Sequence, residues 1–317
     1  MNTLRNKIFY MLKPLLPRKF QIFCRRKLAL KKLSNCKDIW PIDYGAGILP
    51  HNWDGWPGNK QFALVLTHDV ETGKGQDKCL KLMELEQTLG FRSSFNFVPK
   101  RYQVSSELRQ YLVSNGFEVG VHGLYHDGKY YVSRKIFQER AVEINSYLKE
   151  WKSVGFRSPS MHYNLDWIHD LNIKYDASTF DTDPFEPYAR GMKTIFPFWV
   201  SKNSTSEGYI ELPYTLPQDF TLFIIMKEKN IEIWKKKLDW VVENRGMVLF
   251  NAHPDYMNFE GKNLGIEEYP ADYYIELLNY IQQRYKEMYW HVLPREIAEF
   301  WRKNMVNSFD KGVLGKQ

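Results

Sequence analysis

The sequence lacks several features that would place it in a special class of protein. Its three cysteines (Cys24, Cys36 and Cys79) are odd in number and not closely spaced, which argues against a disulfide framework and against a thiolate metal site. No run of about 18 apolar residues occurs, so no transmembrane helix is predicted. Internal repeats and low-complexity tracts are also missing. These absences favour a globular protein in a reducing, cytoplasmic compartment.

The N-terminus has no acidic residue, although the chain as a whole is mixed in charge. Residues 1–37 hold 11 of the 44 basic residues and none of the 37 acidic ones, so residues 38–317 carry a net charge of −4. Lys13, Pro14 and Pro17 interrupt the apolar stretch that a signal peptide needs.

Two interpretations of this basic amphipathic extension stay open. It either makes a peripheral contact with an anionic bilayer at the inner membrane face, or packs on the domain with its charges in water. A nucleic-acid partner is not expected, because the rest of the chain shows neither a basic groove nor a recognised module.

Strand and helix patterns alternate through most of the chain. Residues 38–60 are rich in Trp, Pro and Gly and predict a linker that packs on the body through its tryptophans. Residues 61–303 predict one catalytic domain, and residues 304–317 a C-terminal tail.

Strands are predicted at 62–67, 93–98, 117–122, 154–157, 174–177, 209–213, 247–253 and 289–293. Helices are predicted at 76–89, 105–115, 133–151, 230–244, 270–286 and from about 295. Serial β-then-α units predict a parallel sheet, open or closed into a barrel, with active-site groups at the carboxyl ends of its strands.

Chemically unusual residues fall at those strand ends. Asp69 and Glu71 are one residue apart, and on an extended backbone this spacing puts both carboxylates on one face. Two like charges at the end of a buried strand need a compensating cation. His122 and His126 have the four-residue spacing that lets two imidazoles bind one metal ion. Two histidines and one carboxylate with an open position are typical of a catalytic zinc site.

The order of these groups resembles the polysaccharide deacetylases of the NodB homology group over roughly residues 60–300. The family motifs T-F-D-D-G, H-[ST]-x-x-H, R-x-P, a loose fourth motif and L-x-H correspond to residues 67–71, 122–126, 157–159, 175–181 and 251–253. The resemblance implies an α/β fold, a distorted (β/α) barrel of the NodB type, here with an N-terminal basic extension. It also implies removal of acetyl groups from a carbohydrate with one divalent metal ion, for which Zn²⁺ is expected.

The resemblance also implies a role for each site residue. Glu71, His122 and His126 would bind the metal, Asp69 would be the base held by Arg157, and His253 would protonate the leaving group. Substrate-binding roles are expected for Pro159, Tyr125, Asp181 and Trp199, with Tyr163, Phe180 and Asp255 as further candidates for the groove.

Three positions depart from the family pattern. Val70 stands where the family has its second aspartate, so the alternative that Asp69 itself binds the metal stays open. Gly123 replaces the usual Ser or Thr. Asn251 replaces the Leu that usually lines the acetate pocket, which predicts either a more polar pocket or a different acyl group.

Three functional hypotheses follow. The first is a deacetylase acting on a surface polysaccharide or its lipid-linked precursor. The second is another amide hydrolase on the same scaffold, such as a deformylase or a small-molecule amidohydrolase. The third is a carbohydrate-binding homologue without activity. Metal content separates the third hypothesis from the other two.

Overall fold

The computed structural model describes residues 17–188, 191–203, 206–261 and 263–306. The expectations for residues 1–16 of the basic extension and for residues 307–317 of the tail lie outside the described residues.

A curled, mainly parallel sheet of nine strands forms the centre of the molecule. The strands are β1 (Phe62–Val70), β2 (Ser94–Phe97), β3 (Glu118–His122), β4 (Gly155–Arg157), β5 (Tyr175–Asp176), β6 (Phe198–Ser201), β7 (Gly208–Glu211), β8 (Met247–Ala252) and β11 (Tyr289–His291). A separate two-stranded pair consists of β9 (Met257–Asn258) and β10 (Tyr269–Pro270). The strand order is β11-β1-β2-β3-β4-β5-β7-β6, β8 pairs with β1, and only β6 runs antiparallel to its neighbour.

Strand β1 lies at the middle of this sheet and is buried along its whole length. Its pairing with β2, β8 and β11 is parallel throughout, which explains its nearly continuous apolar sequence. On the far side, the backbone N–H of Thr215 donates to the carbonyl of Leu249 in β8 at 3.0 Å, so the curled sheet nearly closes. The result is the distorted (β/α) barrel that the sequence predicts.

Eight helices flank the sheet in the described part of the chain. They are α1 (Arg18–Leu33), α2 (Gly73–Thr88), α3 (Ser106–Ser114), α4 (Arg134–Trp151), α5 (Leu165–Ile168), α6 (Glu232–Glu243), α7 (Asp272–Arg284) and α8 (Pro294–Trp301). Two π-helices span Phe220–Met226 and Arg302–Val306, and 3₁₀ turns span Tyr44–Gly47, Pro57–Asn59 and Pro159–Met161. Ser133 caps the N-terminus of α4, since its hydroxyl accepts from the backbone N–H of Ile136 at 3.2 Å.

The N-terminal segments pack on the barrel. Trp40 and Trp56 are buried, and the Trp56 indole donates to the Arg245 carbonyl at 2.8 Å. Helix α1 lies against the π-helix Phe220–Met226, where Arg26 donates to the carbonyls of Ile224 and Ile225 at 3.0 and 2.9 Å. Among the described residues, no helix combines the length and the apolar character needed to cross a membrane.

Candidate metal centre and active site

Three side chains bring potential metal-ligand atoms within 4.8 Å of one another: Glu71, His122 and His126. Glu71 follows β1, His122 ends β3, and His126 lies in the loop after β3. That loop turns sharply, with Gly123 at φ 64° and His126 at φ 56°. A Cβ at position 123 would lie 2.5 Å from the Pro159 ring, so glycine is required where the family usually has Ser or Thr.

The donor set fits a divalent metal ion. His122 Nδ1 lies 3.1 Å from the Arg157 carbonyl, and donation to that oxygen turns the lone pair of Nε2 towards the cluster. Burial lowers the pKa of His122 to about 4, so its imidazole is neutral, as a ligand must be. His126 Nε2 is buried without a hydrogen-bond partner although Glu71 Oε1 is only 3.0 Å away. A cation between these atoms would satisfy both.

Asp69 lies beside this cluster. Among the described residues, it is not one of the three side chains that form the cluster. Its Oδ1 accepts from Arg157 Nη1 at 3.2 Å and from Asn96 at 3.0 Å, and its Oδ2 accepts from Asn251 at 2.9 Å. Burial raises the pKa of Asp69, but the positive charge of Arg157 and these hydrogen bonds outweigh it and hold the pKa well below its usual range. Asp69 is therefore an oriented carboxylate, with Oδ2 3.9 Å from His122 Nε2.

Arg157 is buried rather than part of a surface salt bridge. Its Nε donates to the Ala177 carbonyl at 2.8 Å, and Nη1 donates to Thr67 Oγ1 at 2.8 Å and to Asn251 Oδ1 at 2.6 Å. Asn251 thus contacts both members of the Asp69–Arg157 pair, and its polar atoms are engaged in holding that pair.

His253 lies on the other side of the cluster, with Nε2 4.0 Å from Glu71 Oε1. Its Nδ1 is 2.7 Å from Asp219 Oδ1, and its backbone N–H donates to Asp219 Oδ2 at 2.8 Å. Burial alone would lower the pKa of His253, but the charge and hydrogen bond of Asp219 outweigh it and raise the pKa to about 10. Sequence reasoning missed Asp219, because it precedes a π-helix in a region without strand or helix periodicity.

Glu71 is fixed by neighbours of its own. The Tyr256 hydroxyl donates to Oε2 at 3.0 Å, and Arg101 Nη1 lies 3.9 Å from the same oxygen. The backbone N–H of Glu71 donates to Asp255 Oδ2 at 2.9 Å. Asp255, a candidate for the substrate groove, is buried here as a support for the backbone of Glu71.

The residues expected to bind substrate divide into two groups. Pro159 packs against the turn at Gly123, and Tyr125 is exposed next to His126, so both lie beside the cluster. Asp181 and Trp199 are not brought to it. Asp181 is fully buried in an ion pair with Lys237, also fully buried, because the apolar interior requires each charge to have a partner. Trp199 lies on edge strand β6, at the opposite end of the strand order from β1 and β11, with Arg302 Cζ 5.2 Å from its ring centroid.

Two further groove candidates are also placed by the structure. Phe180 is fully buried, with its ring centroid 5.4 Å from that of Tyr214. Tyr163 lies next to Tyr188, with 5.9 Å between ring centroids. The buried position of Phe180 removes it from the groove.

Comparison with known proteins identifies the fold. No protein-family model and no curated protein matches the sequence. Among solved structures, a protein assigned as a polysaccharide deacetylase from Mycobacterium smegmatis is 15% identical with a TM-score of 0.58, covering 81% of this chain and 95% of its own. A Puue allantoinase is 16% identical with a TM-score of 0.60, covering 79% and 93%. A protein assigned as a polysaccharide deacetylase from Pseudomonas aeruginosa PAO1 is 17% identical with a TM-score of 0.59, covering 79% and 94%. The chain therefore has the fold of the polysaccharide deacetylases, a distorted (β/α) barrel of the NodB homology type.

Proposed function

We propose that this protein is a metal-dependent hydrolase that removes an acyl group, N-acetyl in the first instance, from a surface polysaccharide or its precursor. The observation that carries the proposal is the cluster of Glu71, His122 and His126, flanked by Asp69 on one side and His253 on the other. A divalent ion, for which Zn²⁺ fits two imidazoles and one carboxylate, would be held by these three side chains.

The side chains around the cluster divide the proton transfers between them. When bound, the metal supplies Lewis-acid polarisation of the acyl carbonyl and lowers the pKa of a coordinated water. Asp69 accepts the proton of the attacking water, and its carboxylate is oriented for this by Asn251 and Arg157. His253 is kept protonated by Asp219, which accepts from Nδ1, and delivers its Nε2 proton to the departing nitrogen or oxygen.

The proposal is tested by metal analysis and acyl release on one preparation. The wild type should hold one equivalent of zinc and release acetate from N-acetylated oligosaccharides. Glu71→Ala should lose both the metal and at least about a hundredfold in rate, a typical loss for a group acting directly in catalysis. Glu287→Ala is the matched control, because its side chain is 82% exposed.

Other results would select a different function. One structure of the same fold is an allantoinase, so hydrolysis of a cyclic amide is the second candidate. Stoichiometric metal without acyl release from acetylated and formylated sugars would favour it. A protein that binds no metal, and whose properties are unchanged in Glu71→Ala, would be a binding homologue.

Helix α1 supports a further part of the proposal, a peripheral contact with an anionic membrane at the cytoplasmic face. Phe20, Phe23 and Leu30 lie along its outward side and are 49%, 50% and 51% exposed. Lys27 Nζ lies 5.6 Å from the Phe23 ring centroid, and Lys19 and Lys31 flank the stripe. Apolar side chains between lysines suit the headgroup region of a bilayer.

The membrane contact is tested with liposomes. Phe20→Ser combined with Phe23→Ser should weaken binding of the full chain to phosphatidylserine vesicles. Val142→Ser is the control, since Val142 is 69% exposed on α4. Equal binding by all three proteins would remove the membrane contact and leave the enzymatic proposal untouched.

A further inference from the structure

Three guanidinium groups lie near Glu71 or near the rings that lead to it: Arg101 Nη1 is 3.9 Å from Glu71 Oε2, and the Cζ atoms of Arg18 and Arg25 are 5.9 and 4.7 Å from the Phe220 ring centroid. Arg18 and Arg25 come from α1, and Arg101 comes from the loop after β2. The charges closer to the cluster are mostly acidic, including Asp69, Glu71 and Asp219. The arginines therefore make the approach to this site positively charged, whereas its interior is mostly negatively charged.

Arg25 is connected to the candidate active site by a line of ring contacts. Its Cζ lies 4.7 Å from the centroid of the Phe220 ring, which is 4.9 Å from the centroid of Tyr256. The Tyr256 hydroxyl in turn donates to Glu71. Arg25 is thus two aromatic rings away from a metal-ligand side chain, a separation that suits a substituent on the same sugar as the acyl group or on the next one.

The three cations differ in how far they are already neutralised. Arg18 forms an ion pair with Glu267, and Arg101 lies 3.9 Å from Glu71. Arg25 has no carboxylate within 4.0 Å among the residues that the structure covers.

The positive charge of Arg25 acts electrostatically on Glu186, which is buried next to Asp183. Burial, together with the neighbouring Asp183 carboxylate, raises the pKa of Glu186 to about 8. The Tyr214 hydroxyl donates to Asp183 Oδ2 at 2.8 Å and lies 3.2 Å from Glu186 Oε1, so it connects the two carboxyl groups. A protonated Glu186 does not cancel the charge of Arg25 near neutral pH.

The contacts that dock α1 keep Arg25 in this position. Arg26 is fixed to the π-helix carbonyls, Lys32 donates to the Pro184 carbonyl at 2.8 Å, and Arg18 is held at the opposite end of the helix. An arginine held on an aromatic ring offers a planar, pre-oriented fork, which is the geometry that recognises phosphate in a bidentate manner. No competing carboxylate occupies that fork in the described structure.

We propose that the substrate carries a phosphate group close to its acylated sugar, and that Arg25, assisted by Arg101, binds this phosphate. The inference rests on the proposed function for the identity of the acylated sugar, while the phosphate contact itself depends only on α1 and the loop after β2. In this arrangement α1 serves two purposes, with Arg25 on its inner side and the Phe20–Phe23 stripe on its outer side. With a sugar phosphate that is anchored in a lipid surface, Arg25 would contact the phosphate and the Phe20–Phe23 stripe would contact the lipid.

The test compares binding of two sugars that differ only in charge, N-acetylglucosamine 1-phosphate and methyl N-acetylglucosaminide, measured by tryptophan fluorescence on the full zinc-loaded chain. The wild type should bind the phosphate about tenfold more tightly, as one charge-assisted hydrogen-bonding group provides. Arg25→Gln should lose this preference, and Lys31→Gln, on the outward side of the same helix, should keep it. Raising the ionic strength should reduce it. A third ligand with glucuronic acid in place of the phosphate carries a carboxylate instead. Its affinity distinguishes recognition of phosphate from recognition of any anion.

The outcomes are distinct from those that test the hydrolase. Equal affinity for the two sugars, including no binding of either, overturns the phosphate proposal, as does a preference that survives in Arg25→Gln or extends equally to the glucuronic acid. Release of acetate from the neutral sugar by the wild type would then leave the hydrolase standing. A phosphate preference that depends on Arg25, in a protein that releases no acyl group, would keep the binding site and remove the hydrolase.

Discussion

Asp219 lies behind His253 and controls its charge. The carboxylate receives both the backbone N–H and the imidazole of His253, and the Tyr269 hydroxyl donates to Oδ2 at 3.1 Å. Asp219 is fully buried, so its charge acts on the imidazole with little screening by water. A single side chain that touches no reacting atom thus keeps the proposed proton donor charged.

Asp219→Asn should therefore remove the proton donor at neutral pH. His253 is an acid that must be protonated to act, so kcat should fall as the pH rises through its pKa, which is about 10 in the wild type. Without the carboxylate, burial dominates and the pKa drops, moving the alkaline limb of the kcat profile to lower pH. At pH 7 we expect a loss of about 10²-fold or more, the usual range for general acid catalysis. An unshifted alkaline limb would contradict this role.

Asn251 offers a second test at the scale of one residue. Replacement with Leu, the residue usual in the polysaccharide deacetylases that the sequence resembles, leaves Asp69 Oδ2 without its amide donor and Arg157 without one acceptor. Because both partners are buried, Asn251→Leu should reduce the free energy of unfolding by about 1–3 kcal/mol. Acyl release should fall together with it.

The matched variant for this test is Asn96→Leu. Asp69 Oδ1 keeps the Arg157 donor when the Asn96 amide is lost, so the loss of activity should be smaller. Urea unfolding and acetate release on both variants give the comparison. A larger effect at position 96 than at position 251 would show that Asn251 does not hold the base.

The loop after β3 is the element that positions the two histidines of the candidate metal centre. It carries one histidine at the end of a buried strand and a second in a positive-φ conformation, and Gly123 lets the chain pass the Pro159 ring. Tyr130 also approaches, with its hydroxyl 2.8 Å from the position of a Cβ at residue 123. The fit of this turn therefore decides where His126 lies.

Gly123→Ala should disturb both stability and metal binding. Gly90, with φ 73° and open space around it, supplies the control, since Gly90→Ala should cost about 1 kcal/mol from backbone conformation alone. At Gly123 a clash with the proline ring adds about 1–3 kcal/mol, typical of overpacking in a core. Zinc titration should show weaker binding for Gly123→Ala and unchanged binding for Gly90→Ala. Equal zinc affinity in both would mean that the turn does not position His126.

The sequence predicts these elements unevenly, and the reason is physical. Strand β1 is a continuous apolar run and α4 has a serine cap, so periodicity and capping identify both. The positions of Asp69, His122 and Arg157 at strand ends are also predicted by the apolar strand pattern. The π-helix Phe220–Met226 is apolar on all sides because it is buried between α1 and the barrel, and no period identifies it. The ion pair of Asp181 with Lys237 depends on tertiary packing that no local pattern records.

At the scale of the whole molecule, the candidate metal centre links parts of the barrel that are distant in sequence. Glu71 follows β1, whereas His122 and His126 belong to β3 and its loop, with β2 between the two strands. Asp69, Glu71, Asp219 and Asp255 place several carboxyl groups within this one region. Their mutual repulsion is partly offset by Arg157 and Arg101, and a bound cation would offset more.

Metal removal should consequently destabilise the whole domain. A ligand that binds only the folded state at a hundredfold excess over its Kd stabilises it by about 2.7 kcal/mol. Calorimetry should show a higher Tm with excess Zn²⁺ than with EDTA, and the difference should disappear in Glu71→Gln. Glu267→Gln, which removes the partner of Arg18 on α1, is the control that keeps the zinc-dependent difference. A Tm that is the same with zinc and with EDTA in the wild type would show that the three ligand side chains do not hold a metal between the two strands.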